Sequence, residues 1–383
     1  MSREDVYVIG IDMIKFGRFP ERRVPDLGAE AALMALDDCG LGIRDMQALY
    51  CGNLGQAGGM VGQRILREIG QTGMPVVNVA NACATGATAL REAWLSIRAG
   101  AHDLVLAVGV EQMGRGLLGG GGSGSGIPTE GLLGGSTMPT VFAEAGMEHS
   151  HRHGTTFEQF AKVSVKNHHH STFNPKAMYQ IETPLERVMN DEMISYPNTR
   201  LMCSVNVDGS AAAVLASERR VRELGLMKRA IRIRASVLTS DPWQERNPVM
   251  PDINSCTRLA AAAAREQSGI DPGDLDLVEL HDCFATAELL HYENLGICDA
   301  GEAGRLIDDG TTALGGRIPV NVSGGLLSKG HPLGATGIAN LYEVATHLRG
   351  EAGRRQVPGA RLGLTHVLGL GSACAIHVLE RAG

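Results

Sequence analysis

The chain has 383 residues, 44% of them hydrophobic and 20% charged, and carries a net charge of −7 at neutral pH. Its length exceeds what one hydrophobic core usually serves, so two core-bearing halves are expected in an ordinary globular protein. The acidic balance argues against nonspecific nucleic-acid binding, and no apolar run nears the roughly 20 residues that cross a bilayer, so no membrane segment is expected. Eight cysteines without a Cys-x-x-Cys pair argue against a zinc site or a disulfide framework and fit a reducing cytoplasm. The first residues lack the basic and apolar regions of a signal peptide, and the chain ends without a Ser-Lys-Leu-like address. A cytoplasmic location is therefore expected.

Predicted strands and helices alternate. A strand over 6–10 precedes a helix over 26–39 and a strand over 48–51. The apolar run 75–80 reads as a buried strand that enters the turn Asn81-Ala82-Cys83-Ala84-Thr85-Gly86, followed by a helix over 87–99 and a strand over 102–110. Residues 114–197 read as an insertion. It opens with the glycine-rich run 114–135, which lacks the Gly-Lys-Ser/Thr of a phosphate-binding loop and is expected to be mobile. It turns helical over 157–169. Segment 201–209 leads into an apolar strand. The second half has strand 230–237, helix 257–267, strand 275–280, helix 285–294, a turn and helix over 334–348, and strands over 360–367 and 373–380.

This alternation predicts an α/β architecture with parallel strands and right-handed crossovers. The halves echo each other. Asn78-Val79-Ala80 before the Cys83 turn matches Asn321-Val322-Ser323 before a Gly-His-Pro turn, and 49–53 matches 279–282. The expected division is 1–113 with 198–228 as an N-terminal half, 114–197 as an inserted loop domain, and 229–383 as a C-terminal half.

Cys83 falls near a helix N-terminus, where unpaired N–H groups and the helix dipole favour a thiolate. A small buried cysteine packing like alanine is the commoner fate of such a residue. Two further segments favour chemistry: His281-Asp282-Cys283-Phe284 and Gly330-His331-Pro332-Leu333-Gly334-Ala335-Thr336-Gly337. One nucleophile, two histidines and a second thiol are the parts of an acyl-transfer site.

Together the three segments resemble the thiolase superfamily, and within it the sterol-carrier-protein-2-type thiolases, over most of the chain from Val6 to Glu380. The stretch from Ser328 to Gly337 recurs in thiolases almost as it stands here. His-Asp-Cys-Phe separates this branch from thiolases with Asn-Glu-Ala-Phe at that place. The resemblance implies a duplicated five-layer α-β-α-β-α fold, two helices sandwiched between two mixed sheets, with the insertion covering coenzyme A. It implies acyl-CoA substrates, no permanently bound cofactor, no metal and a homodimer. It also leaves open a small OB-fold partner, which related side-chain-shortening aldolases use, or a silent scaffold subunit. Those aldolases place tyrosines where this chain has His281 and His331. The C-terminal sterol-carrier domain of some relatives is not found in these 383 residues.

By the same resemblance Cys83 is the acylated nucleophile, His331 its base or polariser, and His281 a hydrogen-bond donor to an oxyanion. Ordinary thiolases carry a second catalytic cysteine just before the last strand. Leu368 stands there in this chain, so the second thiol is expected to be Cys283, with Cys374 as the rival. The backbone N–H of Cys83 and one from Gly369, Leu370 or Gly371 are candidates for a second oxyanion hole.

Other features have plainer readings. His149, His151 and His153, with His168, His169 and His170, look metal-like, but no ligating cysteine or carboxylate cluster accompanies them in sequence. They are expected on a solvated loop or at the acyl-CoA entrance. The basic stretch from Arg219 to Arg234 has the charge to meet coenzyme A phosphates, but Arg232 and Arg234 alternate with Ile231 and Ile233 as in a strand with one solvated face, and Cys203 is expected to be structural.

Overall fold

The computed structural model describes residues 4–114, 138–243, 252–370 and 372–383. Its strands are β1 Val6–Met13, β2 Leu49–Gly52, β3 Val76–Val79, β4 Leu104–Glu111, β5 Met193–Ser195, β6 Asn198–Thr199, β7 Gly209–Ser217, β8 Ile231–Thr239, β9 Leu277–Glu279, β10 Leu362–Gly369 and β11 Ala373–Arg381. The helices of the first half are α1 Val24–Asp38, α2 Val61–Ile69 and α3 Thr85–Arg98. Then come α4 Met138–His153, α5 Phe157–Ser171, α6 Leu185–Met189 and α7 Glu218–Glu223. The second half carries α8 Ser255–Ser268, α9 Ala285–Asn294, α10 Ala303–Asp308, α11 Gly325–Ser328 and α12 Thr336–Arg349.

Nine strands run in the order β3-β2-β4-β7-β1-β8-β11-β10-β9. In the first half, β2 pairs in parallel with β3 and β4, and β7 pairs antiparallel with β4 and β1. The second half repeats this plan. There β9 is parallel to β10 and to a single bridge at Val320, and β11 is antiparallel to β10 and β8. The expected two sheets are in fact hydrogen-bonded edge to edge, through the antiparallel pairs Tyr7–Arg232 and Val8–Ile231. Strands β1 and β8 meet there, so each half pairs one of its edges with the other, and β3 and β9 end the joined sheet.

Alternation along the strands builds five layers. In β4, Leu104, Leu106, Val108 and Val110 join α1 and α2, while Val105 and Ala107 face α3 and α12. In the second half, Leu364, Ile376 and Val378 join α8 and α9 on the far side. The two middle helices, α3 and α12, approach backbone to backbone. A Cβ at Gly337 would lie 2.3 Å from the Ala87 nitrogen, and one at Gly86 2.6 Å from the Gly334 carbonyl oxygen. Glycine is required at both places, and this contact brings the start of α3 against the turn that carries His331.

The basic stretch is consumed locally. Arg219 pairs with Asp103 and Glu223, Arg222 with Glu218, Arg229 with Asp38 and Glu351, Arg232 with Asp5, and Arg234 with Glu380. No helix of the described residues is long and apolar enough to cross a membrane.

Candidate active site

Cys83 sits two residues before α3, in a turn whose backbone is locked by short polar side chains. The Thr85 hydroxyl accepts from the Asn81 N–H at 2.7 Å and donates to the Ala82 carbonyl at 2.6 Å. Ala82 is held at φ 46°, a left-handed conformation that a non-glycine residue rarely adopts. Such strain at the residue before a thiol persists only where the surrounding structure imposes it.

Around this turn the chain gathers the segments singled out by sequence. The sulfur of Cys83 and a ring nitrogen each from His281 and His331 lie within 4.8 Å of one another. The two imidazoles meet edge to face with centroids 5.2 Å apart. All three residues are buried. Cys283 is also buried, and Cys83 is among the charges that raise its thiol, second only to burial itself.

His331 has a defined tautomer. Its Nδ1 lies 2.8 Å from the Thr336 hydroxyl, and that hydroxyl donates its one hydrogen to the Pro332 carbonyl at 3.0 Å. Thr336 therefore accepts from Nδ1–H, and Nε2 carries a lone pair with no partner. Both ring nitrogens of His281 are likewise without a partner. Its backbone N–H donates to Nδ1 of the buried His366 at 3.4 Å, and His366 Nε2 meets Thr257 at 3.1 Å. Unpartnered buried polar atoms are uncommon in folded proteins, and the two histidines of this cluster carry three of them.

The sequence expectation of an easily ionised Cys83 is corrected. Burial pushes this thiol up to about 12, and the backbone N–H groups of Leu370 and of Cys83 itself offset only part of that. Burial also holds His331 down at about 3 and His281 well below its ordinary value. The resting site is thus a neutral thiol beside neutral imidazoles. Desolvation outweighs the helix terminus.

The expected oxyanion donors are placed unevenly. The Leu370 N–H is directed at the Cys83 sulfur, and Gly369 packs on the Asn81–Ala82 turn. Gly371 lies outside the described residues. Cys374 joins the larger apolar cluster that also holds Cys283, not the cluster of Cys83. It faces Cys256 and Thr257 of α8, whereas its neighbours Ala373 and Ala375 join the apolar cluster of Cys83. Leu368, its cross-strand partner, packs in the larger cluster that contains Cys283.

The loop that carries His281 and Cys283 is fixed by a buried polar network that sequence reading missed. The Asp282 carboxylate accepts from the N–H groups of Leu326 and Leu327 and from the Asn167 amide at 2.8–3.3 Å. Asn167 also donates to Glu288, which pairs with Lys166 at 2.7 Å and accepts from Asn321. The signal was present as Lys166-Asn167 and Glu288 inside helices with otherwise buried faces.

A cavity of about 1300 Å³ opens beside this loop, lined by Arg18, Tyr179, Arg187, Arg200, Cys203 and Val205 among others. Its floor abuts the site, because Ser204 N–H donates to the Cys283 carbonyl and His331 N–H to the Val205 carbonyl, both at 2.9 Å. Cys203, expected to be structural, therefore also lines this space. The six histidines of the insertion lie on helices rather than on a loop. His149, His168 and His170 are buried, and His168 lines the cavity. The glycine-rich run lies outside the described residues except for Gly114.

Residues 6–196 match the family model for the N-terminal domain of thiolase, and residues 243–381 match a thiolase C-terminal domain-like family. The chain belongs to the thiolase family. It is 42% identical to human sterol carrier protein 2 over 97% of its own length and 71% of that protein. It is 39% identical to an acetyl-CoA acetyltransferase of Methanothermobacter thermautotrophicus over 98% of this chain and 100% of that one. In fold it is similar to the solved Ltp2-ChsH2(DUF35) aldolase, with a TM-score of 0.83 and 24% identity over 99% of this chain and 98% of that one. As a thiolase-family protein, it has coenzyme A thioesters as its substrate class and needs no resident cofactor. Its thiolase-family membership and its acetyl-CoA acetyltransferase relative support the acyltransferase class.

Proposed function

We propose that this thiolase-family protein reversibly cleaves 3-oxoacyl-CoA with coenzyme A, or condenses two acyl-CoAs, through an acyl group carried on Cys83. The observation that carries the reading is the buried cluster of Cys83, His281 and His331, with the free lone pair of His331 Nε2 turned to no other partner. In the cleavage direction, His331 Nε2 takes the Cys83 proton as the sulfur attacks the C3 carbonyl carbon. The C2–C3 bond then breaks and its electron pair moves into the acetyl-CoA enolate. His281 donates a hydrogen bond to the enolate oxygen, and the Cys283 thiol protonates C2. The thiol of a second coenzyme A gives its proton to the Cys283 thiolate and attacks the acyl-Cys83 carbonyl. Cys83 leaves as a thiolate and recovers its proton from His331. The raised thiol of Cys83 fits this order, since ionisation is then coupled to substrate binding rather than standing in the free protein.

The cavity beside Cys283 and His331 suits the pantetheine arm, and Arg18, Arg187 and Arg200 at its wall supply positive charge for the phosphates. A homodimer belongs to the same reading. Strand β3, next to Cys83, is the edge of the sheet and leaves Val77 40% exposed, a surface suited to two-fold strand pairing. We place the protein in the cytoplasm, acting in lipid metabolism.

A second reading is aldol cleavage together with a small OB-fold partner, favoured by the fold likeness to the aldolase above. Histidines at 281 and 331 weigh toward thiolysis. The test is a panel of 3-oxoacyl-CoA and 3-hydroxyacyl-CoA esters with free coenzyme A. Thiolysis consumes coenzyme A in step with the ester. Release of an aldehyde or ketone from a 3-hydroxyacyl-CoA, without coenzyme A consumption, would favour the aldolase reading.

A further inference from the structure

Outside the active site, His149, His153 and Glu293 converge although 140 residues separate the last two. His149 and His153 share one face of α4, one turn apart, with ring centroids 4.8 Å from each other. Glu293 comes from the last turn of α9, and one of its carboxylate oxygens lies 2.9 Å from His149 Nε2. One ligand atom from each of the three residues lies within 4.8 Å of the other two. The sequence set these histidines aside for want of a carboxylate, and the fold supplies it from α9.

We propose that His149, His153 and Glu293 form a divalent-metal site suited to Zn²⁺, which clamps the inserted helix α4 onto α9. Two imidazole nitrogens and one carboxylate oxygen are a familiar three-ligand zinc set, with solvent as the fourth ligand. Tetrahedral bonds of about 2.0–2.1 Å place ligand atoms about 3.4 Å apart. His149 and Glu293 are already nearer than that, and both are buried, with side chains 6% and 7% exposed. The closing movement falls to His153, which is exposed and leaves solvent a way to the fourth position.

The surrounding contacts are those that orient metal ligands. Thr155 meets His149 Nδ1 at 2.8 Å, which turns Nε2 toward Glu293. The N–H groups of Gly301 and Ala303 donate to Glu293 Oε1 at 2.9 and 3.4 Å. Gly301 also admits the His153 ring, since a Cβ there would lie 2.8 Å from His153 Nδ1. Helix α9 begins two residues after Cys283, so the clamp steadies the helix that supports the catalytic loop.

Cys83, His281 and His331 could compete for the same ion, and the experiment separates the two sites. The full chain, stripped with a chelator, is titrated calorimetrically with Zn²⁺ and spectroscopically with Co²⁺. The Cys83→Ala, His153→Ala and Glu293→Gln variants are treated in the same way. One equivalent should bind to the wild type and to Cys83→Ala, with a Co²⁺ spectrum free of thiolate charge transfer. His153→Ala and Glu293→Gln should each weaken binding by on the order of tenfold to a hundredfold or more. His153 is exposed, so its variant folds and decides the matter even if Glu293→Gln does not. Absence of binding overturns the proposal. So does binding that Cys83→Ala removes and His153→Ala leaves intact.

Discussion

Replacing Cys283 by alanine separates the two half-reactions proposed for this site. The thiol is 5% exposed, so bulk water is poorly placed to stand in as the acid that protonates C2. A positioned acid or base of this kind contributes roughly 10²–10⁴-fold, which is about 3–5 kcal/mol of barrier. Steady-state cleavage by Cys283→Ala should fall by that factor, while acylation of Cys83 by a simple acyl-CoA, which moves no proton at C2, should persist. Cys374→Ala is the matched control. Thr257, which Cys374 meets at 3.8 Å, retains His366 Nε2 at 3.1 Å, so no buried polar group is orphaned. A packing loss of roughly 1 kcal/mol and near-normal turnover are expected. Coenzyme A release and rapid-quench mass spectrometry read the two steps. A crippled Cys374→Ala beside a nearly normal Cys283→Ala would refute the assignment of the second acid/base.

His291 is buried against His366 and held down at about 3, against about 6.5 when unfolded. Its contribution is present above pH 6.5 and is lost as pH falls toward 3, because only the unfolded chain then takes up the proton. His291→Phe removes that loss, so its stability relative to wild type in urea melts should improve by roughly 1 kcal/mol between pH 7.5 and 5.5. A gap that widens on acidification would contradict this. Gly337→Ala drives a Cβ into the Ala87 backbone at 2.3 Å, and neither helix has a flexible side chain to yield. A loss of roughly 1–3 kcal/mol is expected in thermal or urea unfolding, and an unchanged melt would count against the close α3–α12 contact.

Legibility followed how local the physics was. Strands 6–10, 48–51 and 373–380 and helices 257–267 and 285–294 were readable because each carries its own apolar period, and the structure extends or trims them by a few residues. Helix α2 and helix α4 escaped. The three histidines near the end of α4 are indifferent helix formers, and the burial of His149 depends on Glu293 from far along the chain. At the site, the Cys83, His281 and His331 motifs could be named, and the fold brings those residues together. Two things were not legible. The Lys166–Glu288–Asn167–Asp282 network joins a helix of the insertion to the second half, and the raised thiol of Cys83 depends on burial by segments far apart in the chain. A helix terminus is visible in sequence; the burial around it is not.

The central claim is that Cys83 carries the acyl group, and trapping that group tests it most directly. The protein is mixed with a 3-oxoacyl-CoA without free coenzyme A, quenched in acid, digested and analysed by mass spectrometry. The account predicts the acyl mass on the peptide containing Cys83, and none in a Cys83→Ala variant that still folds. Acyl mass on Cys283 or Cys374, with Cys83 unmodified, would contradict it.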